Sequence, residues 1–157
     1  MKTKVFKVPS QVLRQKCDTA EFGAKTRFLG QKLLLVLDNN ANAVGVAANQ
    51  IGVTSRVFAY DFSKIGGKGF STGDFPTKGF VVNPSYTSDQ ETTTTELEGC
   101  LSVPGNVLVE RLETINAFWF DSTGLPYEAT LVGMPARVFQ HEVDHLDGIL
   151  MTDHVSE

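Results

Sequence analysis

The segment His141-Glu142-Val143-Asp144-His145 constrains this chain more than any other. Two histidines four residues apart lie on one face of an α-helix, one turn above the other, and can hold one divalent metal with the intervening glutamate beside it. The flanking residues make that helix. Pro135 sits where a first-turn proline is tolerated, Phe139, Val143 and Leu146 recur at i, i+4 and i+7, and Gly148 stands in a C-terminal capping position. The alternative is a helix with two partly exposed histidines. Against it, two of only three histidines in the chain fall inside this amphipathic stretch.

A catalytic site of this kind needs a third protein ligand and keeps a further position for water. In one metallopeptidase arrangement another histidine follows the second by six residues, after a glycine; Gly148 fits, but the ligand position is Met151. A carboxylate from a later helix is excluded because only twelve residues follow His145. The third ligand therefore comes from upstream, or else from Asp153 or His154. The best upstream candidate is Cys100 in Glu98-Gly99-Cys100-Leu101-Ser102-Val103-Pro104-Gly105, a cysteine among turn-forming residues rather than within an apolar stripe. Thiolate is a strong ligand for such a metal. A lone cysteine is more often a small buried hydrophobe, and Cys17 keeps that reading.

The remainder supplies one ordinary domain around this helix, taken as residues 1–157. At 157 residues the chain can bury a core without disulfides, and 41% apolar with 20% charged residues is globular usage. No stretch approaches the roughly 18 apolar residues of a membrane span. The start, MKTKVFKVPS, is basic but lacks the apolar segment of a secretory signal, so a cytoplasmic address is expected. With 14 basic and 18 acidic residues, a net charge of -4 and no dense Lys/Arg cluster, direct nucleic-acid binding is not expected.

Leu29, Leu33, Val36 and Leu37 predict a first helix over 22–37, ended by the turn-forming run 38–42. Val44 to Gly52 reads as a small-residue extended segment, and 56–60 and 80–83 as short strands around a glycine-bearing loop. Further β segments are expected at 92–98, 106–110, 115–120 and 127–132, with Asp121-Ser122-Thr123-Gly124 as a turn. The fold class is α+β: short antiparallel sheets packed around a metal-binding helix, with a second, N-terminal helix.

Three segments, Gly45-Val46-Ala47-Ala48-Asn49-Gln50, Glu98 to Gly105 and Gln140 to Gly148, together resemble the three signature motifs of peptide deformylases, in the same order and with similar separations. The resemblance spans essentially the whole chain. It implies hydrolysis of the N-formyl group from the initiating formyl-methionine of new polypeptides, with release of formate. By motif position Cys100, His141 and His145 are the metal ligands and Glu142 the acid/base. The side-chain amide of Gln50 and the backbone N–H of Leu101 stabilise the oxyanion, and Val44 and Gly45 line the place where the substrate backbone adds alongside a strand. The metal implied is Fe²⁺, with Zn²⁺, Ni²⁺ or Co²⁺ able to occupy the same ligands. The partners implied are formyl-methionyl peptides and nascent chains, with transient ribosome proximity and a monomeric enzyme.

Other positions are weaker. Val138, one turn before His141, either shapes the pocket for the substrate methionine or is plain core. Glu98, Arg111 and Asp144 either orient the site or are surface charge. Two features depart from the family pattern: Ala43 stands where glycine usually opens the first motif, and only nine residues follow Gly148 where bacterial members commonly continue into a terminal helix. The second suggests a compact form, viral or otherwise reduced. The rival readings are a metallopeptidase using the same metal and glutamate, and a non-catalytic module in which His154 closes a four-ligand site.

Overall fold

The computed structural model of the chain describes residues 2–66 and 72–155. Two helices, α1 (Ala24–Asp38) and α2 (Met134–Leu146), pack with seven strands. The strands are β1 (Gly45–Ala47), β2 (Val57–Asp61), β3 (Lys78–Thr87), β4 (Thr93–Cys100), β5 (Val103–Leu112), β6 (Thr114–Phe120) and β7 (Pro126–Val132). Five form an antiparallel sheet in the order β1-β2-β3-β6-β7, and β4 pairs with β5 as a separate hairpin. This is the α+β class expected.

The β2 sequence shows why the helices sit where they do. Val-Phe-Ala-Tyr-Asp is buried at every position, which alternating side chains allow only if both sheet faces are covered. Val57 and Ala59 face Leu33, Val36 and Leu37 of α1. Phe58 and Tyr60 face Phe139, Val143 and Leu146 of α2 on the other side. Each fully buried large apolar side chain is worth about 1.5–3 kcal/mol. That gain lets α2 also bury Arg137, Gln140, His141, Glu142 and His145, whose desolvation only hydrogen bonds can offset. Beyond α2, Gly148 adopts φ 74°, and a Cβ there would fall 2.5 Å from Arg14 O, so glycine serves both the left-handed turn and the close approach.

The structure departs from the sequence expectations at four places. The first helix begins at Ala24, after Gly23, leaving Phe22 outside it against the Phe120 ring at 5.4 Å. The segment 44–52 is extended only over Gly45–Ala47; Ala48–Ile51 forms a 3-10 turn because the Gln50 side chain folds back to accept the Ala47 N–H at 2.9 Å. The strand expected at 80–83 runs ten residues, interrupted by an irregularity where Asn83 takes φ 51° and bonds Ala20 through both ends of its amide. Strands β4 and β5 continue to the tip of their hairpin, so that Cys100 pairs with Val103 around Leu101 and Ser102. The glycine-bearing loop lies in part, at 67–71, outside the described residues. Among those described, no helix is long and apolar enough to cross a membrane.

Candidate metal centre

The tip of the β4–β5 hairpin points its cysteine at one face of α2. Cys100 Sγ lies 3.3 Å from His145 Nε2, and His145 Nε2 lies 3.2 Å from His141 Nε2. Among the described residues these three form the one group of side chains able to hold a metal, with donor atoms all within 4.8 Å. Tetrahedral bonds of about 2.0–2.3 Å place neighbouring N and S donors roughly 3.3–3.6 Å apart, so the cluster fits a divalent ion with small adjustment. Of the alternatives left open by the sequence, His154 contacts Asp144 Oδ2 at 2.8 Å and Asp153 bonds Arg14, and neither joins the group.

The His141 ring is held from behind, whereas His145 Nδ1 is buried with no hydrogen-bond partner among the described residues. Glu98, buried two residues before Cys100 near the tip of the hairpin, accepts from His141 Nδ1 at 2.7 Å, from Arg111 at 2.9 Å through both Nε and Nη2, and from Arg137 at 2.7 Å. Burial alone would raise the Glu98 pKa, but the bonds from His141 and Arg111 outweigh it and keep the carboxylate ionised well below the ordinary range. The Nδ1–H to Glu98 bond leaves His141 Nε2 facing the cluster, the usual arrangement for a ligand imidazole. Burial also disfavours a charged His141, yet Cys100 and Glu98 hold its pKa at about 10, while burial and the His141 charge drive His145 the other way. Arg111 reaches on to Asp144, which also meets His154.

Glu142 lies beside this group without belonging to it. Its Oε2 is 4.0 Å from His141 Nε2, and its Oε1 is buried with no hydrogen-bond partner among the described residues. Burial pushes its pKa up to about 7, close to where a group can both take and give a proton. Gln50 lines the same cleft. Its Oε1 is occupied by the Ala47 N–H, which fixes the amide so that Nε2 points to Ser102 Oγ at 3.0 Å and Cys100 Sγ at 3.7 Å. A neutral N–H donor is thereby aimed at the metal group.

The group opens into a cleft of about 650 Å³ that Val44, Gly45, Gln50, Leu101, Val138 and Glu142 help to line. Cys100 and His141 line it too, whereas His145 is buried behind them and reaches the cleft only through its contacts with those two side chains. Val138 is both: it lines the cleft and is 8% exposed within the core. Glu98, Arg111 and Asp144 form a buried or half-buried ion network rather than surface charge. Cys17 is buried core, and burial raises its thiol pKa to about 11.

Three contributors escaped the sequence reading. Arg137 is 3% exposed and bonds Glu98, Val109 O and Thr94. A positive charge on the helix face shared with His141, one turn earlier, is the signal that could have found it. Ser102 donates its backbone N–H to Cys100 Sγ at 3.4 Å, and Asn49 donates to His145 O. Only the folded contacts mark those two.

Comparison with known proteins extends the likeness over the chain. A profile of the family described as polypeptide deformylase matches residues 2–157. Peptide deformylase 1 of Corynebacterium efficiens is 41% identical over 112 residues, 71% of this chain and 62% of that protein, so the matched stretch spans under two thirds of that relative. The peptide deformylase of Thermodesulfovibrio yellowstonii is 33% identical over 154 residues, 97% of this chain and 88% of that protein. The crystal structure of peptide deformylase from Thermotoga maritima superposes with a TM-score of 0.85 at 30% identity, over 100% of this chain and 99% of that one.

Proposed function

This chain belongs to the polypeptide deformylase family, and we propose that it acts as one catalytic domain, hydrolysing the N-formyl group from formyl-methionyl peptides and nascent chains with release of formate. The observation that carries this reading is that the group of Cys100, His141 and His145 opens, through Cys100 and His141, on a cleft that it shares with an unpartnered carboxylate, Glu142, and a fixed amide donor, Gln50.

Cys100, His141 and His145 would hold the ion, for which one thiolate and two imidazoles are suitable donors. We propose Fe²⁺ as the native ion; Zn²⁺, Ni²⁺ and Co²⁺ suit the same donors. When bound, such an ion polarises a carbonyl oxygen and lowers the pKa of water from about 15.7 to roughly 7. Glu142 then takes the proton of the attacking water at Oε1 and delivers it to the departing amine nitrogen as the C–N bond breaks. The Gln50 Nε2 and the Leu101 backbone N–H donate to the formyl oxygen as negative charge collects there; a fixed donor of this kind is worth on the order of 10²–10³ in rate. Val44 and Gly45 receive the substrate backbone, and Val138 bounds the space for the methionine side chain. His141 is kept in register by Glu98, so the reacting groups need little rearrangement.

The deciding experiment is metal analysis after anaerobic purification, paired with a formate-release assay on formyl-Met-Ala-Ser and its unformylated counterpart. Stoichiometric metal with formate from the first peptide alone supports the reading. Cleavage inside both peptides without formate would assign a metallopeptidase instead. The iron form should lose activity in air through oxidation at the thiolate site, and the nickel form should survive; equal aerobic lifetimes would remove the iron assignment. A monomeric enzyme working in the cytoplasm, close to the ribosome, completes the proposal, and size-exclusion chromatography of the loaded protein tests the first part of it.

A further inference from the structure

The basic start of the chain lies beside the cleft. Phe6 N–H donates to Gln50 O at 2.7 Å and Val8 N–H donates to Ser102 O at 2.9 Å, so the N-terminal strap is tied to the backbone of two residues of the site. Phe6 packs its ring over Gly52. Thr3, Val5 and Lys7, at alternate positions, instead line a depression of about 320 Å³ between the strap and the end of α1, together with Lys2, Leu35 and Val36.

This depression continues the cleft: Asn39, Asn40 and Leu101 line both. A peptide held at the metal group and leaving past Leu101 would enter it directly. Its charge is also unusual for this chain. The protein carries a net charge of -4, yet no carboxylate lines the depression, and among the described residues neither Lys2 nor Lys7 forms an ion pair. Lys4, on the same strap, stands 4.6 Å over the Phe6 ring and is not part of this lining. A lining that combines Val5, Leu35 and Val36 with two lysines suits a side chain with a short aliphatic stem and a carboxylate end.

We propose that this depression is a subsite for the substrate chain beyond its first residues, where Lys2 and Lys7 select an aspartate or glutamate. The inference rests on the deformylase reading. The contacts are exposed and remote from the reacting atoms, so they act on binding and weaken with salt. Two such pairs correspond to roughly a 3- to 10-fold preference.

The test uses the intact, metal-loaded chain and six-residue peptides beginning formyl-Met-Ala, with Glu or Lys placed in turn at each position from the third to the sixth. The expected result is a roughly 3- to 10-fold advantage of Glu over Lys at one position, expressed in KM, reduced at high salt and reversed in the Lys2→Glu/Lys7→Glu double variant. Each protein is scored by the ratio between two peptides, so any loss of folded enzyme cancels. A ratio near one at every position, or a preference that the double variant keeps, overturns the subsite; lysines serving to dock RNA would give the first of these results. Absence of formate from formyl-Met-Ala-Ser itself would overturn the deformylase reading, and this inference with it.

Discussion

The carboxylate of Glu142 occupies the space where Gly45 would carry a side chain: a Cβ at position 45 would lie 2.7 Å from Glu142 Oε2 and 2.9 Å from its Cδ. Gly45 has no positive φ, so alanine suits its backbone and only this contact is at issue. Gly45→Ala is therefore expected to displace the Glu142 carboxylate while leaving the ligands in place. It should keep full metal stoichiometry and lose about 10²-fold in kcat, the scale of a misplaced catalytic group. Wild-type turnover in this variant would show that the carboxylate position does not matter.

Glu142→Gln and Cys100→Ala should separate chemistry from metal binding. The first retains size and hydrogen bonding but cannot accept a proton, so metal and stability stay near native while kcat falls about 10²-fold or more. The second removes a ligand, so metal binding itself weakens and added metal restores occupancy without the full rate. If Glu142→Gln lost its metal while Cys100→Ala kept both metal and rate, the assigned roles would have to be exchanged or abandoned.

Glu98 is expected to matter for stability as well as for the metal. Glu98→Ala leaves the Arg111 and Arg137 guanidinium groups buried without their shared partner, a change that typically costs about 3–5 kcal/mol. It also frees the His141 ring, which should weaken metal affinity about 10- to 100-fold. The folded-state pKa of Glu98 lies below its ordinary 4.5, so its stabilising effect is complete above that pH and is lost as pH falls further. Glu98→Gln should flatten this acid limb in denaturant titrations of the metal-free protein; an unchanged limb would place its origin elsewhere.

The two cysteines should respond differently to metal removal. Cys17 is buried, with its thiol pKa raised to about 11 by burial first, so a thiol reagent at pH 8 should leave it unmodified in loaded and stripped protein alike. Cys100 is half-buried at the cleft and should become reactive only when the metal is withdrawn. Mass spectrometry after timed alkylation reads both sites, and protection of Cys100 in the stripped protein would count against its ligand role. Because the unfolded chain ionises Cys17 first, near pH 9, the stability it contributes as a neutral thiol declines between about pH 9 and 11.

The sequence by itself determined the parts governed by local geometry. Helical periodicity placed His141 and His145 on one face with Glu142 beside them, identified Phe139, Val143 and Leu146 as their apolar counterpart, and marked Gly148 as the stop, because a helix relates residues three and four apart regardless of what surrounds it. The α+β class and most strands followed from the same kind of pattern, and motif order pointed to Cys100 and Gln50. Tertiary structure decided the contacts between distant parts of the chain. It brought Cys100 rather than His154 to the two histidines, set Glu142 against Gly45, and tied the N-terminal strap to Gln50 and Ser102. It also turned Glu98, Arg111 and Arg137 from charges that periodicity leaves ambiguous into a buried network behind His141. A carboxylate and a guanidinium tens of residues apart carry no mutual signature in the chain. Burial makes them partners, since once water is removed each is tolerated only because the other is there.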